Sequence, residues 1–314
     1  MSEEADVCVA KVRRACCDFG FFLLTGHGLS EEEMAGALQL VKDLFALPSS
    51  EKQKMSSTLN KLNRGYTAMS EETLDPEKQS EGDTKEGFYM GREVAADSPE
   101  AQTPLTGPNV WPPEDVLPGW RRGMEQYYEK MTALGHRLLR LVARSLQIEP
   151  DFFDAKFRPG MRWLRPLHYA PQKSDVEKGV LGAGEHTDYG MLTILLTDGI
   201  RGLEILPKKE GQRGTEWVEV PHVQGGFVVN LGDMLERWTN GVYMSTPHRV
   251  VMKDAVHRYS LPFFFEPNFD CRVETVSTCV EDGQPPLYPP VVFGEHLLGK
   301  YAKTHKDFEG KPKD

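Results

Sequence analysis

The triplet His186-Thr187-Asp188, which stands directly before an apolar run, constrains this chain more than any other stretch. The run 191–196 is short and is closed by an Asp-Gly pair, which predicts a buried strand. Residues two apart on an extended chain point to the same side. The imidazole of His186 and the carboxylate of Asp188 are therefore expected to converge, and this pair is the starting point for a functional site.

The rest of the chain alternates between helical and strand patterns. Helices are predicted over 7–18, 31–47 and 120–146 from apolar spacing, and Ser30 with Glu33 forms a capping box for the second. Beyond residue 157, short strands separated by turn residues are predicted over 162–169, 190–196, 202–206, 216–220, 226–231, 248–252, 259–265 and 270–276. The pattern predicts a mainly β fold with helices (α+β), a double-stranded β-helix or jelly-roll core buttressed by N-terminal helices.

Three regions follow from this pattern. Residues 1–120 are expected to form an N-terminal helical and mixed region, residues 121–300 the jelly-roll core with its buttressing helix, and residues 301–314 a polar tail.

Composition narrows the class of partner. The formal net charge of -10 argues against a nucleic-acid partner, and no apolar run reaches the length of a membrane helix. The five cysteines lack zinc-site or CxxC spacing, which predicts free thiols in a reducing, cytoplasmic compartment. We expect a small-molecule substrate, and the oligomeric state is undetermined by the sequence.

A second histidine, His248, begins a predicted strand 60 residues beyond Asp188. Two histidines and one carboxylate on neighbouring strands form the facial triad that holds Fe(II) and leaves coordination positions open. Zinc bound by the same three residues is the alternative metal.

Ten residues beyond His248, Arg258 and Ser260 share one face of the next predicted strand. A guanidinium beside a hydroxyl suits a carboxylate, and an arginine entering an apolar strand needs an anionic partner. We expect the distal carboxylate of a dicarboxylic 2-oxo acid to lie here while its other end chelates the metal.

These motifs resemble those of the Fe(II)/2-oxoglutarate-dependent dioxygenases of the isopenicillin N synthase-like superfamily, over nearly the whole chain. The resemblance is carried by the following sequence segments and residue pairs: 17–22 with 26–28, His186 with Asp188, 229–233, 245–250 and Arg258 with Ser260. The stretches 85–91, 108–112 and 230–241 look nearest to a subgroup of plant, algal and fungal small-molecule oxygenases.

The resemblance implies cofactors, co-substrates and roles. Fe(II), 2-oxoglutarate and O2 are implied, with ascorbate supportive, and the products are succinate, CO2 and a hydroxylated or oxidatively dealkylated small molecule. Tyr169 stands where the family places a tyrosine that bonds the distal carboxylate, although the surrounding Asn and Pro of the family motif are replaced here. Because Asp188 occupies the position that halogenating relatives leave open, hydroxylation-type chemistry is implied.

Substrate neighbours follow from strand alternation. Phe264 and Glu266 share the face of Arg258 on the same predicted strand. From the N-terminal region, the candidate substrate contacts are Phe88, Tyr89, Arg64 and Tyr66.

Two other functions are compatible with the same residues. One is a same-fold Fe(II) oxidase that does not use 2-oxoglutarate and binds a substrate carboxylate at Arg258. The other is a non-catalytic binding or sensor protein.

Overall fold

The computed structural model describes residues 3–209, 212–281 and 283–304. The helices are α1 Glu3–Asp18, α2 Glu31–Phe45, α3 Ser49–Gln53, α4 Trp120–Ser145, α5 Asp233–Trp238 and α6 Phe293–Thr304. Short 3₁₀ helices cover Ser57–Leu59, Pro99–Gln102, Ala155–Phe157 and Ser277–Cys279. Within these described ranges, no helix combines the length and apolarity needed to cross a membrane.

The strands are short, as the turn residues predict. They are β1 Phe21–Leu24, β2 Gly65–Thr67, β3 Lys85–Gly91, β4 Met161–Leu164, β5 Leu167–Tyr169, β6 Ala183–His186, β7 Leu192–Thr197, β8 Leu203–Ile205, β9 Lys208–Lys209, β10 Gln212–Arg213, β11 Val218–Glu219, β12 Phe227–Leu231, β13 His248–Val250, β14 Arg258–Glu266, β15 Arg272–Val273 and β16 Val291–Val292.

Two antiparallel sheets form the core. The larger, which we call the major sheet, has the order β1-β12-β7-β14-β4-β3-β2, with β5 between β14 and β3. The smaller, the minor sheet, has the order β11-β8-β13-β6, and β9–β10 and β15–β16 form two-stranded pairs. The strand content and the helices confirm the predicted α+β jelly roll.

Strand alternation gives the major sheet two buried faces. On β14, the apolar side chains of Leu261, Phe263 and Phe265 belong to the main core with α4, whereas Arg258 and Ser260 point into the jelly roll. On the inner face, a second cluster joins the sheets through Phe21, Leu167, Tyr169, Ala183, Leu203, Ile205, Val228, Val250 and Met252. The site therefore lies between the two sheets, with the helices behind it.

Capping and close packing in the structure explain two of the predicted helices, α2 and α4. Ser30 accepts a hydrogen bond from the Glu33 amide, and the Glu33 carboxylate accepts one from the Ser30 amide, which is the predicted capping box of α2. In α4, Gly135 lies against Phe265, and a Cβ there would meet the ring at 2.5 Å. This close approach is what lets α4 pack directly on the major sheet.

The structure differs from the predicted elements in three places, and the first difference has a local reason. The predicted strand 162–169 is two strands, β4 and β5, because Pro166 has no amide hydrogen to continue the ladder. Helix α5 was not predicted. Helix α6 crosses the predicted boundary at residue 300 and buries Tyr301, whereas residues 305–314 of the predicted tail lie outside the described residues.

The N-terminal region is continuous with the core. Strands β1, β2 and β3 come from residues 1–120, yet all three belong to the major sheet. The five cysteines are free thiols, as predicted.

Candidate active site

The structure brings His186, Asp188 and His248 together. His186 ends β6, and His248 begins β13 as its direct partner across the minor sheet. Nε2 of His186 lies 3.8 Å from Oδ1 of Asp188, and Nε2 of His248 lies 3.7 Å from the same oxygen. All three ligand atoms fall within 4.8 Å of one another, the one such cluster of His, Cys, Asp or Glu among the described residues.

Backbone carbonyls set the orientation of both imidazoles. Nδ1 of His186 donates to the Gly184 carbonyl at 2.8 Å, and Nδ1 of His248 donates to the Thr246 carbonyl at 3.1 Å. The hydrogens are therefore assigned to Nδ1, which leaves the lone pair of each Nε2 directed toward the shared centre. Burial, and then the neighbouring His248, lower the pKa of His186 to about 4, so the imidazole is neutral near pH 7, the form that binds metals.

The carboxylate of Asp188 is oriented by two polar groups on neighbouring strands of the major sheet. Its Oδ2 accepts a hydrogen bond from Oγ1 of Thr193 at 2.5 Å and another from Nδ2 of Asn230 at 2.5 Å. Thr193 and Asn230 are register partners on β7 and β12. With Oδ2 held in this way, Oδ1 faces the two imidazoles. Sequence reasoning missed both supporting residues, although both alternate inward on apolar strands.

Arg258 lies on β14 of the major sheet and is 1% exposed. Its Nε donates to the Ile200 carbonyl at 3.2 Å, and its guanidinium carbon lies 4.7 Å from the centroid of the Tyr169 ring. Within the described chain, Nη1 of Arg258 is buried without a hydrogen-bond partner. A buried cation with an unused donor is costly unless a ligand supplies the acceptor.

A cavity, which we call the co-substrate cavity, connects this arginine to the cluster of His186, Asp188 and His248. Its polar ends are the cluster and the arginine, and a dicarboxylic molecule bound at both ends matches this arrangement of charge. The residues that line it are Phe21, Leu74, Lys85, Arg165, Leu167, Tyr169, Ala183, His186, Asp188, Thr193, Leu195, Leu203, Asn230, His248, Val250, Arg258, Ser260, Pro262 and Phe264.

A second cavity, which we call the substrate cavity, adjoins the first. The two share Leu74, Arg165, His186, Asp188 and Phe264. The remaining lining residues are Glu72, Tyr89, Trp163, Thr187, Tyr189, Glu266, Leu297 and Tyr301. A molecule in this space lies beside the His-Asp-His cluster and against aromatic side chains.

Strand β3 decides which N-terminal candidates reach this space. Tyr89 points to the inner face and lines the substrate cavity. Phe88 points to the opposite face, where its ring packs against Trp120 of α4 at 5.6 Å between centroids. Tyr66, the register partner of Phe88, shares that outer face and donates a hydrogen bond to Glu86. The expectation that Phe88 and Tyr66 lie at the substrate is therefore corrected by the alternation of the strand.

Arg64 is also displaced from the two cavities. Its guanidinium lies over Gly91, and Nη2 donates to the Leu105 carbonyl at 2.9 Å. Because Gly91 has no side chain, the arginine occupies the space that a Cβ would fill. Arg64 therefore packs against β3 and lines neither the co-substrate cavity nor the substrate cavity.

Glu266 is 5% exposed and lines the substrate cavity. Its Oε2 accepts a hydrogen bond from the Met191 amide at 2.7 Å, and the carboxyl rests on Gly190, where a Cβ would collide with it. No basic side chain of the described chain forms an ion pair with it. Burial raises the pKa of Glu266 well above its usual range, and Asp188 and Asp233 add to the effect. Burial therefore favours the protonated form of this carboxyl, which can donate a hydrogen bond.

A buried ionic cluster on the inner face was missed by sequence reasoning. The carboxylate of Glu72 accepts from Nη2 of Arg165 at 2.9 Å and pairs with Nζ of Lys85 at 2.9 Å. Lys85 also pairs with Asp83, and the Arg165 guanidinium carbon lies 4.1 Å from the centroid of the Tyr89 ring. Glu72, the acidic partner of Arg165, lies in a loop far away in the sequence, so no local sequence pattern predicts the pair.

Comparison with known proteins matches this geometry. Residues 164–267 match the family model described as the 2OG-Fe(II) oxygenase superfamily, and residues 1–114 match the model described as the non-haem dioxygenase in morphine synthesis N-terminal. Kihadalactone A synthase LFS of Citrus sinensis is 36% identical over 301 residues, which cover 95% of this chain and 88% of that protein. The chain belongs to the 2OG-Fe(II) oxygenase superfamily.

Two further relatives agree. The 2-oxoglutarate-Fe(II) type oxidoreductase hxnY of Emericella nidulans is 36% identical over 312 residues, 98% of this chain and 87% of that protein. The crystal structure of a full-length Neurospora crassa protein in complex with alpha-KG and thymine superposes with a TM-score of 0.81 at 28% identity, covering 96% of this chain and 92% of that one.

Membership identifies the chemistry of this 2OG-Fe(II) oxygenase. It is a 2-oxoglutarate-dependent dioxygenase that uses Fe(II) and 2-oxoglutarate. Two imidazoles and one carboxylate, with no thiolate among them, suit ferrous iron and fit the metal that the family uses. Nothing in these comparisons favours an oxidase that dispenses with 2-oxoglutarate.

Replacing Thr193 with valine tests the support of Asp188. The change removes the Oγ1 hydrogen bond to Oδ2 but keeps the shape of the side chain, so iron affinity is expected to fall about tenfold. Equilibrium dialysis with ferrous iron in the absence of oxygen measures it. Thr197→Val on the same strand is the matched control, because Thr197 contacts His222 instead. Equal iron affinity in both variants and the unmodified chain would contradict the assignment.

Proposed function

We propose that this enzyme hydroxylates, or oxidatively dealkylates, a small organic molecule, with His186, Asp188 and His248 as the iron ligands. The observation that carries the proposal is the pair of adjoining cavities that meet at this cluster. One cavity has the buried arginine at its far end, and the other is walled by aromatic rings.

In the co-substrate cavity, Arg258 is the residue that binds the distal carboxylate of 2-oxoglutarate. Its unpartnered Nη1 donates to the carboxylate, while the Ile200 carbonyl and the Tyr169 ring hold the guanidinium in place. Ser260, two residues along β14 and 1% exposed, supplies a hydroxyl on the same face. Together these groups fix the orientation of the co-substrate.

With iron and 2-oxoglutarate bound, dioxygen would be the oxidant: one of its oxygen atoms would enter succinate as 2-oxoglutarate loses CO2, and the other would oxidise a C–H bond of the substrate. The protein's contribution is positioning. The two imidazoles and the carboxylate of Asp188 would hold the metal, and the aromatic wall would keep water from the reacting carbon.

The substrate cavity supports a small, ring-shaped and uncharged substrate. Tyr89, Trp163, Phe264 and other aromatic side chains offer flat apolar surfaces, and the carboxyl of Glu266, whose protonated form is favoured by burial, offers one donor. The N. crassa protein forms a complex with thymine, a small ring with carbonyl oxygens. We therefore expect a substrate with a carbonyl or similar acceptor that faces Glu266. The five free thiols support the prediction of a cytoplasmic location.

A metabolite library tests the function. The enzyme is incubated with Fe(II), ascorbate, 2-oxoglutarate and each compound, and succinate is measured. A true substrate raises succinate in proportion to a product that gains one oxygen atom or loses an alkyl group in mass spectrometry. Product that forms without consumption of 2-oxoglutarate would overturn the proposed reaction.

Two variants of Glu266 test the substrate class. Glutamine keeps an uncharged donor, so Glu266→Gln is expected to retain kcat/KM to within about threefold, whereas Glu266→Leu loses the donor and about tenfold in kcat/KM. The measurement uses a substrate found in the library screen. If glutamine is as harmful as leucine, the site requires a negative charge and the substrate carries a positive one.

A further inference from the structure

A network of polar groups lies on the outer face of the major sheet, beneath α2. At its centre, the Glu86 carboxylate accepts hydrogen bonds from Nζ of Lys52 at 2.7 Å, from the hydroxyl of Tyr66 at 2.5 Å and from Nδ1 of His168 at 2.7 Å. Burial alone would raise the pKa of Glu86, but the three hydrogen bonds outweigh it and lower the pKa. Glu86 is therefore a carboxylate, and His168 donates to it.

The network reaches solvent through a second histidine. Nε2 of His168 lies 2.8 Å from Nδ1 of His257, and the two rings stack with centroids 5.1 Å apart. His168 is 8% exposed, whereas His257 is an exposed residue. One hydrogen lies between the two nitrogens, so a single hydrogen bond joins the two rings.

The network lies directly behind the co-substrate cavity. On the outer face, Glu86 pairs with His168 across β3 and β5. On the inner face, Tyr169 is the register partner of Arg258 across β5 and β14. His257 also directly precedes Arg258 in the chain. Side chains that tie these three strands together on one face therefore control the spacing of the groups on the other.

We propose that His168 is a positioning residue for 2-oxoglutarate. Its hydrogen bonds on the outer face hold Tyr169 and Arg258 in the arrangement that binds the distal carboxylate. This inference rests on the proposed role of Arg258 and goes beyond it.

Groups from several elements hold His168 in the network. Nζ of Lys52 from α3 and the hydroxyl of Tyr66 from β2 donate to the Glu86 carboxylate of β3. The ring of Tyr259 on β14 stacks on His168 with centroids 4.8 Å apart, and Nζ of Lys42 from α2 lies 5.8 Å from the Tyr259 centroid. The stacked ring connects the network to the strand that carries Arg258.

Two variants of His168 separate positioning from a general loss of structure. Phenylalanine keeps the stacked ring but removes both hydrogen bonds, and His168→Phe is expected to weaken 2-oxoglutarate binding about tenfold with kcat at saturation nearly unchanged. Asparagine keeps a donor for Glu86, so His168→Asn is expected to recover most of the affinity. Calorimetric titration of the iron-loaded enzyme with 2-oxoglutarate, without oxygen, measures binding independently of turnover.

The outcomes distinguish the positioning role of His168 from the proposed role of Arg258, on which it rests. If Arg258→Gln binds 2-oxoglutarate as well as the unmodified enzyme does, the assignment of the carboxylate site fails. If Arg258→Gln weakens binding while His168→Phe does not, only the positioning role is overturned.

Discussion

Replacing Asp188 with alanine is expected to abolish turnover, lowering succinate formation at least about a thousandfold. The change removes the one carboxylate of the cluster and leaves two imidazoles, which hold ferrous iron weakly. The fold should persist, because Asp188 lies after the end of β6 and its loss leaves only the side chains of Thr193 and Asn230 without their acceptor. Succinate release and iron binding measure the first effect, and circular dichroism measures the second.

The control for Asp188→Ala is Asp175→Ala, which removes a partly exposed carboxylate paired with Lys178. An exposed ion pair contributes little, so this variant should retain full turnover and stability. Asp188→Ala protein that is folded, binds no iron and is inactive matches the expectation. Normal turnover in that variant would show that the metal is held elsewhere.

The second large effect is expected at Arg258. Arg258→Gln keeps much of the volume of the side chain but removes the charge and the bidentate donor pair, so the 2-oxoglutarate concentration at half saturation should rise about a hundredfold, or ~3 kcal/mol. The value of kcat at saturating 2-oxoglutarate should fall far less, because the guanidinium lies at the opposite end of the cavity from the His-Asp-His cluster. Steady-state succinate formation across 2-oxoglutarate concentrations measures both quantities.

Arg272→Gln is the matched control, because Arg272 is an exposed arginine paired with Glu274 and lines neither cavity. An unchanged half-saturation in Arg258→Gln would remove the arginine from 2-oxoglutarate binding. A substrate half-saturation that rises while that of 2-oxoglutarate stays constant would instead assign Arg258 to the substrate.

The inner face of β14 was predictable from the sequence. Alternation along Arg258–Glu266 places every second side chain on one face, and the structure has Arg258, Ser260, Phe264 and Glu266 on the cavity walls. The same rule failed to choose between Phe88 and Tyr89. Strand β3 is buried on both faces, so both residues meet apolar surroundings, and the local pattern carries no sign of which face is the site.

Contacts between distant segments could not be predicted from the sequence, for a different reason. Glu72 pairs with Arg165, and Tyr301 of α6 reaches the substrate cavity. Each contact depends on how a loop or the terminal helix folds back over the sheets. The periodicity of either segment does not predict which distant residue it will contact. The network at His168 is of the same kind, because its members come from separate elements.

The sequence by itself predicted the site: two histidines and an aspartate as metal ligands, an arginine with a serine for the co-substrate, and a strand pattern that forms a jelly roll. Those features are local, since they depend on residue type and on the two-residue period of a strand. Only the tertiary structure decided which aromatic side chains line the substrate cavity, which charges are paired and what holds Arg258 in place. These depend on pairing across the sheets, where packing and burial, rather than neighbours along the chain, select the contacts.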